Sequence, residues 1–271
     1  MNFLASGQYY GTTNRTTRLG GLLITDTVYY THDRVDWHYH EHPYITFLLT
    51  GRLVETSKKQ TYTCGQGDLL FHNWDEAHAN TKPPGSTIGF HMELGQDWLT
   101  AMDYDLNNLQ GSFLSTHPSA QLLARRLHWE TRQGDDTSRI GIEETMVRLL
   151  DVLSHENNVQ QRGKPLWVKK MHALLNDGAY EGLSLTQLAA LLDLHPVHLS
   201  RDFPKYFGCG LATYIRRIKI LLSLPLLADP ANSIAGVSYE SGFADQSHYG
   251  RCFRNIMQTS PAIYRDWVLG Q

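Results

Sequence analysis

The C-terminal part of the chain repeats one pattern of residues at a fixed interval. Each copy has an Arg, a Phe two positions later and a Tyr eleven positions after that: Arg201, Phe203 and Tyr214, then, fifty residues on, Arg251, Phe253 and Tyr264. Upstream, the apolar or small residues Leu185, Leu188 and Ala189 correspond to Ile234, Val237 and Ser238. Self-similarity at a fixed period indicates two copies of one small unit. The apolar positions recur at helical spacing, so the unit is predicted to be helical.

Each copy has the helix caps and turn residues that are typical of a helix-turn-helix. Ser184 and Gln187 are spaced as a capping box for a short first helix, and Pro196 stands where proline starts a second one. In the second copy Gly242 is predicted to make the turn and Asp245 to cap the next helix. Two small helices joined in this way are typical of DNA-binding proteins.

The second helix of each copy is predicted to read DNA. Its apolar residues point inward, which leaves a polar face with Gln and Arg, side chains suited to base edges or phosphates in the major groove. The residues expected to contact DNA are Val197, His198, Ser200 and Arg201 in the first copy and Gln246, Ser247, His248, Gly250 and Arg251 in the second. A helical interaction domain that binds no nucleic acid is the alternative, and the repeat of both arginines argues against it.

Five short motifs resemble one known family. They are residues 185–190 (Leu-Thr-Gln-Leu-Ala-Ala), 198–203 (His-Leu-Ser-Arg-Asp-Phe), 206–208 (Tyr-Phe-Gly), 242–253 (Gly-Phe-Ala-Asp-Gln-Ser-His-Tyr-Gly-Arg-Cys-Phe) and 260–265, with Ser-Pro before Tyr-Arg. Through them residues 167–267 resemble the DNA-binding domain of AraC/XylS-type transcription regulators. The resemblance implies two helix-turn-helix units joined by a central helix.

Several positions depart from the family pattern. Pro204 stands where a basic residue is usual, and we expect it to end or kink the first reading helix near Phe203. Pro225 falls inside the expected linker helix, residues 215–227, and should bend it. Gln258 replaces a frequent Gly, and His195 is a weaker cap than Ser. We therefore expect the fold to be retained with weaker DNA affinity.

The front of the chain, about 95 residues, reads as short strands separated by glycines and prolines. Residues 38–51 resemble the first motif of cupin barrels, and Gly67-Asp68 followed by His78 resembles the second. The predicted fold is therefore α+β: a cupin-like β-barrel with two helices, then an all-α double helix-turn-helix domain. In metal-dependent cupins two histidines precede a Glu; here Tyr44 occupies its position.

The predicted effector site comprises His38, His40, Tyr44, Trp74 and His78. Three interpretations stay open for the histidines: a polar pocket for a small effector, a three-His metal site, or structural residues. The effector pocket is favoured, and no metal or other cofactor is part of the prediction. The N-terminal arm, residues 1–18, either closes over the pocket or stays disordered.

The domain boundaries follow from composition. Residues 1–157 are assigned to the effector-binding domain, 158–165 to a polar linker and 166–271 to the DNA-binding domain. Helices are predicted over 118–132 and 140–155, either as a dimer interface or packed on their own sheet. Residues 163–271 contain 11 Lys and Arg against 8 Asp and Glu, a balance of +3, which favours a polyanion as partner.

The composition also limits the function classes. No apolar run approaches the roughly 18 residues of a membrane span, no secretory signal is visible, and three scattered cysteines suit the cytoplasm. No catalytic motif is present, so we expect a regulator and not an enzyme. Its expected partners are double-stranded DNA, a small effector and a second copy of the chain, with RNA polymerase as a further partner if the protein activates transcription. Whether it activates or represses transcription stays open. The alternatives are a cupin enzyme with a helical appendage and a regulator without an effector.

Overall fold

The computed structural model describes residues 2–30, 34–74, 76–83, 85–135 and 137–270. The chain divides into two compact units, Met1–Asn157 and Asn158–Gln271. Across the described ranges the first unit holds all the strands and the second contains helices only. The predicted α+β class is confirmed.

The strands of the first unit form two sheets. They are β1 (Asn2–Leu4), β2 (Thr12–Leu19), β3 (Leu22–Tyr29), β4 (Arg34–His40), β5 (Tyr44–Thr50), β6 (Leu53–Ser57), β7 (Thr61–Cys64), β8 (Leu69–His72), β9 (His78–Thr81), β10 (Thr87–Leu94) and β11 (Phe113–Ser115). One sheet has the order β1-β4-β9-β6-β7 and the other β11-β8-β5-β10-β3-β2. Side chains from both sheets line one cavity, so the predicted cupin-like barrel takes the form of two facing sheets.

Alternation along the six-stranded sheet separates a core face from a cavity face. On β5, Ile45 and Phe47 enter the apolar core, whereas Tyr44 and Thr46 line the cavity. The core face is covered by α2 (Pro118–Gln133) and α3 (Ser138–Arg162), after the short α1 (Gln96–Ala101) and a 3-10 turn at Leu106–Asn108. Both predicted helices are therefore present, and their apolar stripes pack on their own sheet.

Helix α3 is longer than its apolar stripe predicts. It continues from Ser138 to Arg162, so residues 158–162 of the expected linker are helical. The segment is polar but contains no helix breaker before Gly163, which has a φ of 79°. Among described residues of α2 and α3, Ile140 is the exposed large apolar side chain. A dimer contact through these helices stays a prediction.

The second unit is built from seven helices in its described residues. They are α4 (Leu166–Asn176), α5 (Leu185–Leu191), α6 (Pro196–Phe207), α7 (Leu211–Leu227), α8 (Ile234–Glu240), α9 (Gln246–Met257) and α10 (Pro261–Leu269). Helices α5 and α8 have 7 residues each, and α6 and α9 have 12 each. The sequence repeat is therefore a structural repeat, with α7 joining the two helix-turn-helix units.

The same positions are buried in both units. Phe203 and Phe253 are fully buried, and Tyr214 and Tyr264 are 3% exposed. The predicted caps are present: Ser184 and Gln187 form a complete capping box. The Asp245 side chain accepts the His248 backbone N–H at 2.7 Å.

The prediction that Pro204 ends the first reading helix is wrong. Helix α6 runs through Pro204 to Phe207, and the Gly208 N–H donates to the Pro204 carbonyl at 3.0 Å. An interior proline costs about 3 kcal/mol, while burying one Phe side chain contributes about 1.5–3 kcal/mol. Phe203 and Phe207 are both fully buried and stack at 4.0 Å, so their burial offsets the lost hydrogen bond. Pro225 lies inside α7, but only two residues before its end.

Candidate functional site

The reading face of α6 is polar and tied together by ion pairs. Val197 is 61% exposed, and His198, Ser200 and Arg201 are exposed beside it. The Arg201 guanidinium lies 3.1 Å from Asp202 Oδ1 and 3.0 Å from His198 Nδ1. A second cation contacts the same carboxylate, since Lys205 Nζ lies 2.8 Å from Asp202 Oδ1. Arg201 and Lys205 together hold the pKa of Asp202 well below its usual range.

The reading face of α9 carries the same arginine without a carboxylate partner. Gln246, Ser247 and Arg251 are exposed, and His248 and Gly250 are half-buried. In the described residues no hydrogen bond or ion pair engages the Arg251 guanidinium. The position that Asp202 occupies in the first unit is occupied by Cys252 in the second, so the carboxylate is missing. An added Cβ at Gly250 would meet no heavy atom within 4 Å, so this face is open to a close approach. The two helices are thus alike in backbone and different in charge.

The turns of the two units use different residues for the same backbone conformation. Asp193 has a φ of 57° where Gly242 has 84°. At the helix ends, Gly208 has a φ of 68° where Gln258 has 57°. The left-handed region costs a non-glycine residue about 1–2 kcal/mol. Each unit therefore accepts one strained position, and it does so at opposite ends of the reading helix.

A second candidate site lies between the two sheets of the first unit. His38 and His40 are two apart on β4 and share a face, and the register places His38 opposite His78 on β9. One ligand nitrogen from each of the three lies within 4.8 Å of the others, and all three side chains are buried. We name these the three-histidine cluster. Alternation on one strand and pairing with its neighbour bring together residues forty positions apart.

Backbone carbonyls fix the orientation of two of these rings. His38 Nδ1 donates to the Asp36 carbonyl at 2.8 Å, and His78 Nδ1 donates to the Glu76 carbonyl at 3.2 Å. Because a carbonyl can only accept, Nδ1 carries the proton in both rings. Their Nε2 lone pairs are left for another partner; that of His78 accepts from the Tyr44 hydroxyl at 3.0 Å.

The six-stranded sheet supplies the opposite wall of the cavity. Tyr44 pairs with His72 across β5 and β8, and their rings stack at 4.0 Å. Thr46 Oγ1 lies 3.0 Å from His91 Nδ1, and the Tyr29 hydroxyl lies 3.0 Å from His91 Nε2. This wall is therefore held by its own hydrogen bonds.

Glu55 on β6 is one of the cavity residues that the sequence prediction did not include. Its side chain is 1% exposed, and Oε1 lies 3.3 Å from His72 Nδ1 without hydrogen-bond alignment. Glu55 Oε2 has no hydrogen-bond partner among the described residues. One carboxylate oxygen lies within 4.8 Å of nitrogens of His72 and His78. Alternation could have pointed to it, because Glu55 shares a strand face with the buried Leu53.

Burial controls the charge of the cavity. Loss of solvent lowers the pKa of His78 to about 4 and that of His72 to about 3, and it lowers the pKa of His38 and His40 as well. The same cause raises the pKa of Glu55 to about 7. At neutral pH the imidazoles are therefore uncharged, and each ring keeps one nitrogen lone pair, which in His78 accepts from the Tyr44 hydroxyl.

The N-terminal arm closes over this cavity. Strand β1 pairs with β4, and β2 pairs with β3, so the arm is more regular than its sequence indicates. Tyr9 stacks on His91 at 4.2 Å, and Tyr10 lies edge-on to His38 at 5.1 Å. The Gly7 N–H donates to Glu93 Oε2 at 2.9 Å and fixes the intervening turn.

The enclosed space is small. The cavity has a volume of about 30 Å³, and one water needs roughly 10–15 Å³. Of the five predicted effector residues, the structure brings together His38, His40, Tyr44 and His78 here. Trp74 lies elsewhere: it is 48% exposed and lines a separate hollow with His42 and Tyr104.

Comparison with known proteins supports the assignment of the second unit as a helix-turn-helix domain. A family model described as a helix-turn-helix domain matches residues 188–266. The HTH-type transcriptional regulator YbfI of Bacillus subtilis is 25% identical over 223 residues, 78% of this chain and 80% of that protein. The regulatory protein PocR of Salmonella typhimurium is 28% identical over 101 residues, and the chain spans only 33% of its length.

The probable transcription factor PqrA of Proteus vulgaris is 29% identical over 86 residues, 32% of this chain and 70% of that one. A structure of ToxT from Vibrio cholerae aligns with 93% of this chain and 100% of its own at 14% identity, with a TM-score of 0.41.

Two helix-turn-helix units on one connecting helix define a DNA-binding protein, and the matched relatives are named as transcription regulators. The second unit is therefore a helix-turn-helix DNA-binding domain, which agrees with the resemblance of its motifs to AraC/XylS-type regulators. In the described residues no helix is both long and apolar enough to cross a membrane.

Proposed function

We propose that the second unit reads double-stranded DNA through the exposed faces of α6 and α9, and that α9 contributes most of the sequence discrimination. The observation that carries this is the exposed arginine, Arg201 or Arg251, at the equivalent position of two 12-residue helices. Gln246 and Arg251 are proposed as base-reading residues, because both are exposed on α9. Val197, His198, Ser200 and Arg201 are proposed to contact DNA from α6.

The proposal extends to the first unit as an effector sensor. The cavity between its sheets is covered by the N-terminal arm, and its lining includes histidines, Tyr44 and Glu55, which can hydrogen-bond to a small polar ligand. Binding there would change DNA affinity if the two states of the arm or sheets differ in their affinity for the ligand. The whole chain is proposed to act in the cytoplasm, as a homodimer, with RNA polymerase as a partner if it activates.

Selection of bound fragments from random duplex DNA tests the DNA-binding function. The full chain is expected to enrich a defined motif, and a shift assay on that motif should weaken steeply as salt rises. Mutating single bases of the enriched motif separates base contacts, which lose discrimination at one position, from phosphate contacts, which lose affinity uniformly. Absence of any enriched or salt-sensitive duplex would contradict the proposal.

A further inference from the structure

We infer that the cavity is a divalent transition-metal site in which Glu55, from β6, supplies the carboxylate ligand that the cupin-like pattern lacks at Tyr44. The three-histidine cluster, His38, His40 and His78, supplies the nitrogen ligands. The regulatory part of this inference rests on the proposed function, since it makes the metal ion the effector.

The donor set fits such an ion. Three imidazoles and one carboxylate are the ligands that zinc and related first-row ions take in proteins, at about 2.0–2.2 Å. Tetrahedral ligands at that distance lie roughly 3.4 Å apart. The donor atoms of the three-histidine cluster lie within 4.8 Å of one another, as do those of Glu55, His72 and His78. His78 belongs to both groups, so it is the residue at which one ion would contact the three-histidine cluster and Glu55 together.

The surroundings already orient the ligands. Rings that bind metal through one nitrogen usually donate the other N–H to a carbonyl or carboxylate. His38 and His78 do this toward the Asp36 and Glu76 carbonyls. His72 Nδ1 lies beside Glu55 Oε1, which places His72 as a positioning residue for the carboxylate.

Glu55 gives an independent indication of a missing partner. Its carboxylate is 1% exposed, and Oε2 has no hydrogen-bond partner in the described part of the chain. A buried carboxylate without compensation is costly, so such groups are generally paired or bind metal. A divalent ion at His78 would satisfy this oxygen.

The size of the cavity argues for an ion over an organic effector. A volume of about 30 Å³ holds about two water-sized particles. An ion with one water fits this space, whereas a sugar or an aromatic acid would have to displace Tyr9 and Tyr10 from above the histidines.

Metal binding by the full chain is the test. Protein stripped with chelator would be titrated with ZnCl2, MnCl2 and MgCl2 by calorimetry, and the bound metal counted by mass spectrometry after desalting. The wild-type protein is expected to bind one Zn²⁺ or Mn²⁺ per chain. It should show no binding of Mg²⁺, because this ion prefers oxygen ligands. His40→Gln and His78→Gln should abolish binding, Glu55→Gln should weaken it at least about 100-fold, and His72→Gln about 10- to 100-fold.

His42→Gln is the matched control, because His42 follows His40 by two residues and lies outside the cluster. Its affinity for Zn²⁺ should equal that of wild type. Glu55→Gln keeps the shape of the side chain and removes a buried charge, so its unfolding temperature in chelator should not fall. Absence of stoichiometric metal in wild type overturns the inference. Unchanged affinity in Glu55→Gln overturns the role of Glu55.

A shift assay with stripped and Zn²⁺-loaded protein separates this inference from the proposed function. DNA binding by a protein that binds no metal supports the proposed function and contradicts the metal site. Metal binding by a protein that does not bind DNA supports the metal site and contradicts the proposed function. An unchanged DNA affinity on loading would show that the ion is not the effector.

Discussion

The two helix-turn-helix units share one arrangement of helices but differ in the charged side chains on their exposed faces. Helices α6 and α9 both have 12 residues, begin at side-chain caps and bury aromatic residues at matching positions. On the exposed side, however, Arg201 is engaged by Asp202, whereas Arg251 has no ion-pair partner in the described residues. The buried pattern specifies the unit, and the exposed face is free to diverge in charge.

The backbone positions that follow the buried Phe extend this contrast. Pro204 in the first unit corresponds to Arg254 in the second. The first reading face thus combines two cations with one carboxylate, while the second carries two cations, Arg251 and Arg254. Because phosphate contacts depend on uncompensated positive charge, the second unit is expected to contribute more to DNA binding.

The largest expected effect comes from exchanging the proline between the units. Arg254→Pro should lower the free energy of unfolding by about 3 kcal/mol, because it removes a helix hydrogen bond and introduces a clash. Pro204→Ala should raise it by about 1–3 kcal/mol. Urea unfolding followed by circular dichroism measures both, with Arg254→Ala as the control for the lost charge. Equal stability of Arg254→Pro and Arg254→Ala would show that the proline explains no difference between the units.

The next effect concerns the two arginines. Arg251→Ala should weaken binding to the selected DNA motif by about 5- to 150-fold, the range for a base-reading contact. Arg201→Ala should cost less, because this side chain must first leave Asp202 and His198. Fluorescence anisotropy with the motif and with single-base variants measures both, and Lys58→Ala, in the first unit, controls for net charge. A larger loss for Arg201→Ala would reverse the assignment of the main reader.

A smaller effect is expected at the ends of the reading helices. Gln258 adopts a φ of 57° at the position where Gly208 has 68°. Gln258→Gly should raise stability by about 1 kcal/mol, and Gly208→Ala should lower it by a similar amount. The hydrogen bond from Gln258 Nε2 to the Asn255 carbonyl offsets part of the gain. Melting temperatures of the two variants should move in opposite directions; movement in the same direction would contradict the equivalence of the two helix ends.

The helix-turn-helix units could be predicted from the sequence because their determinants are local. Caps such as Ser184 and Asp245 and buried positions such as Phe203 and Phe253 all act within a few residues of one another. The extent of α6 could not be predicted from the sequence. Whether the helix continues past Pro204 depends on the packing of Phe207 against the core of the unit. A local rule was outweighed by burial.

The cavity in the first unit shows the opposite situation. His38, His40 and His78 follow from alternation and a motif, but Glu55, His72 and Tyr9 reach the site through strand pairing and sheet packing. Which strands become neighbours is not encoded in any short segment. Trp74 illustrates the same limit, because an aromatic residue close to the motif lies on a different surface.

The smallest expected effect tests the charge difference directly. Asp202→Asn removes the carboxylate that engages Arg201 and Lys205, so both cations become available to phosphate. DNA affinity should rise about 2- to 5-fold at low salt, and its dependence on salt should steepen because more phosphate charge is neutralised. Asp266→Asn, an exposed residue on α10, changes the net charge equally and should leave the affinity nearly unchanged. If both variants gain equally, the general charge of the unit and not the pairing of Arg201 distinguishes the first reader from the second.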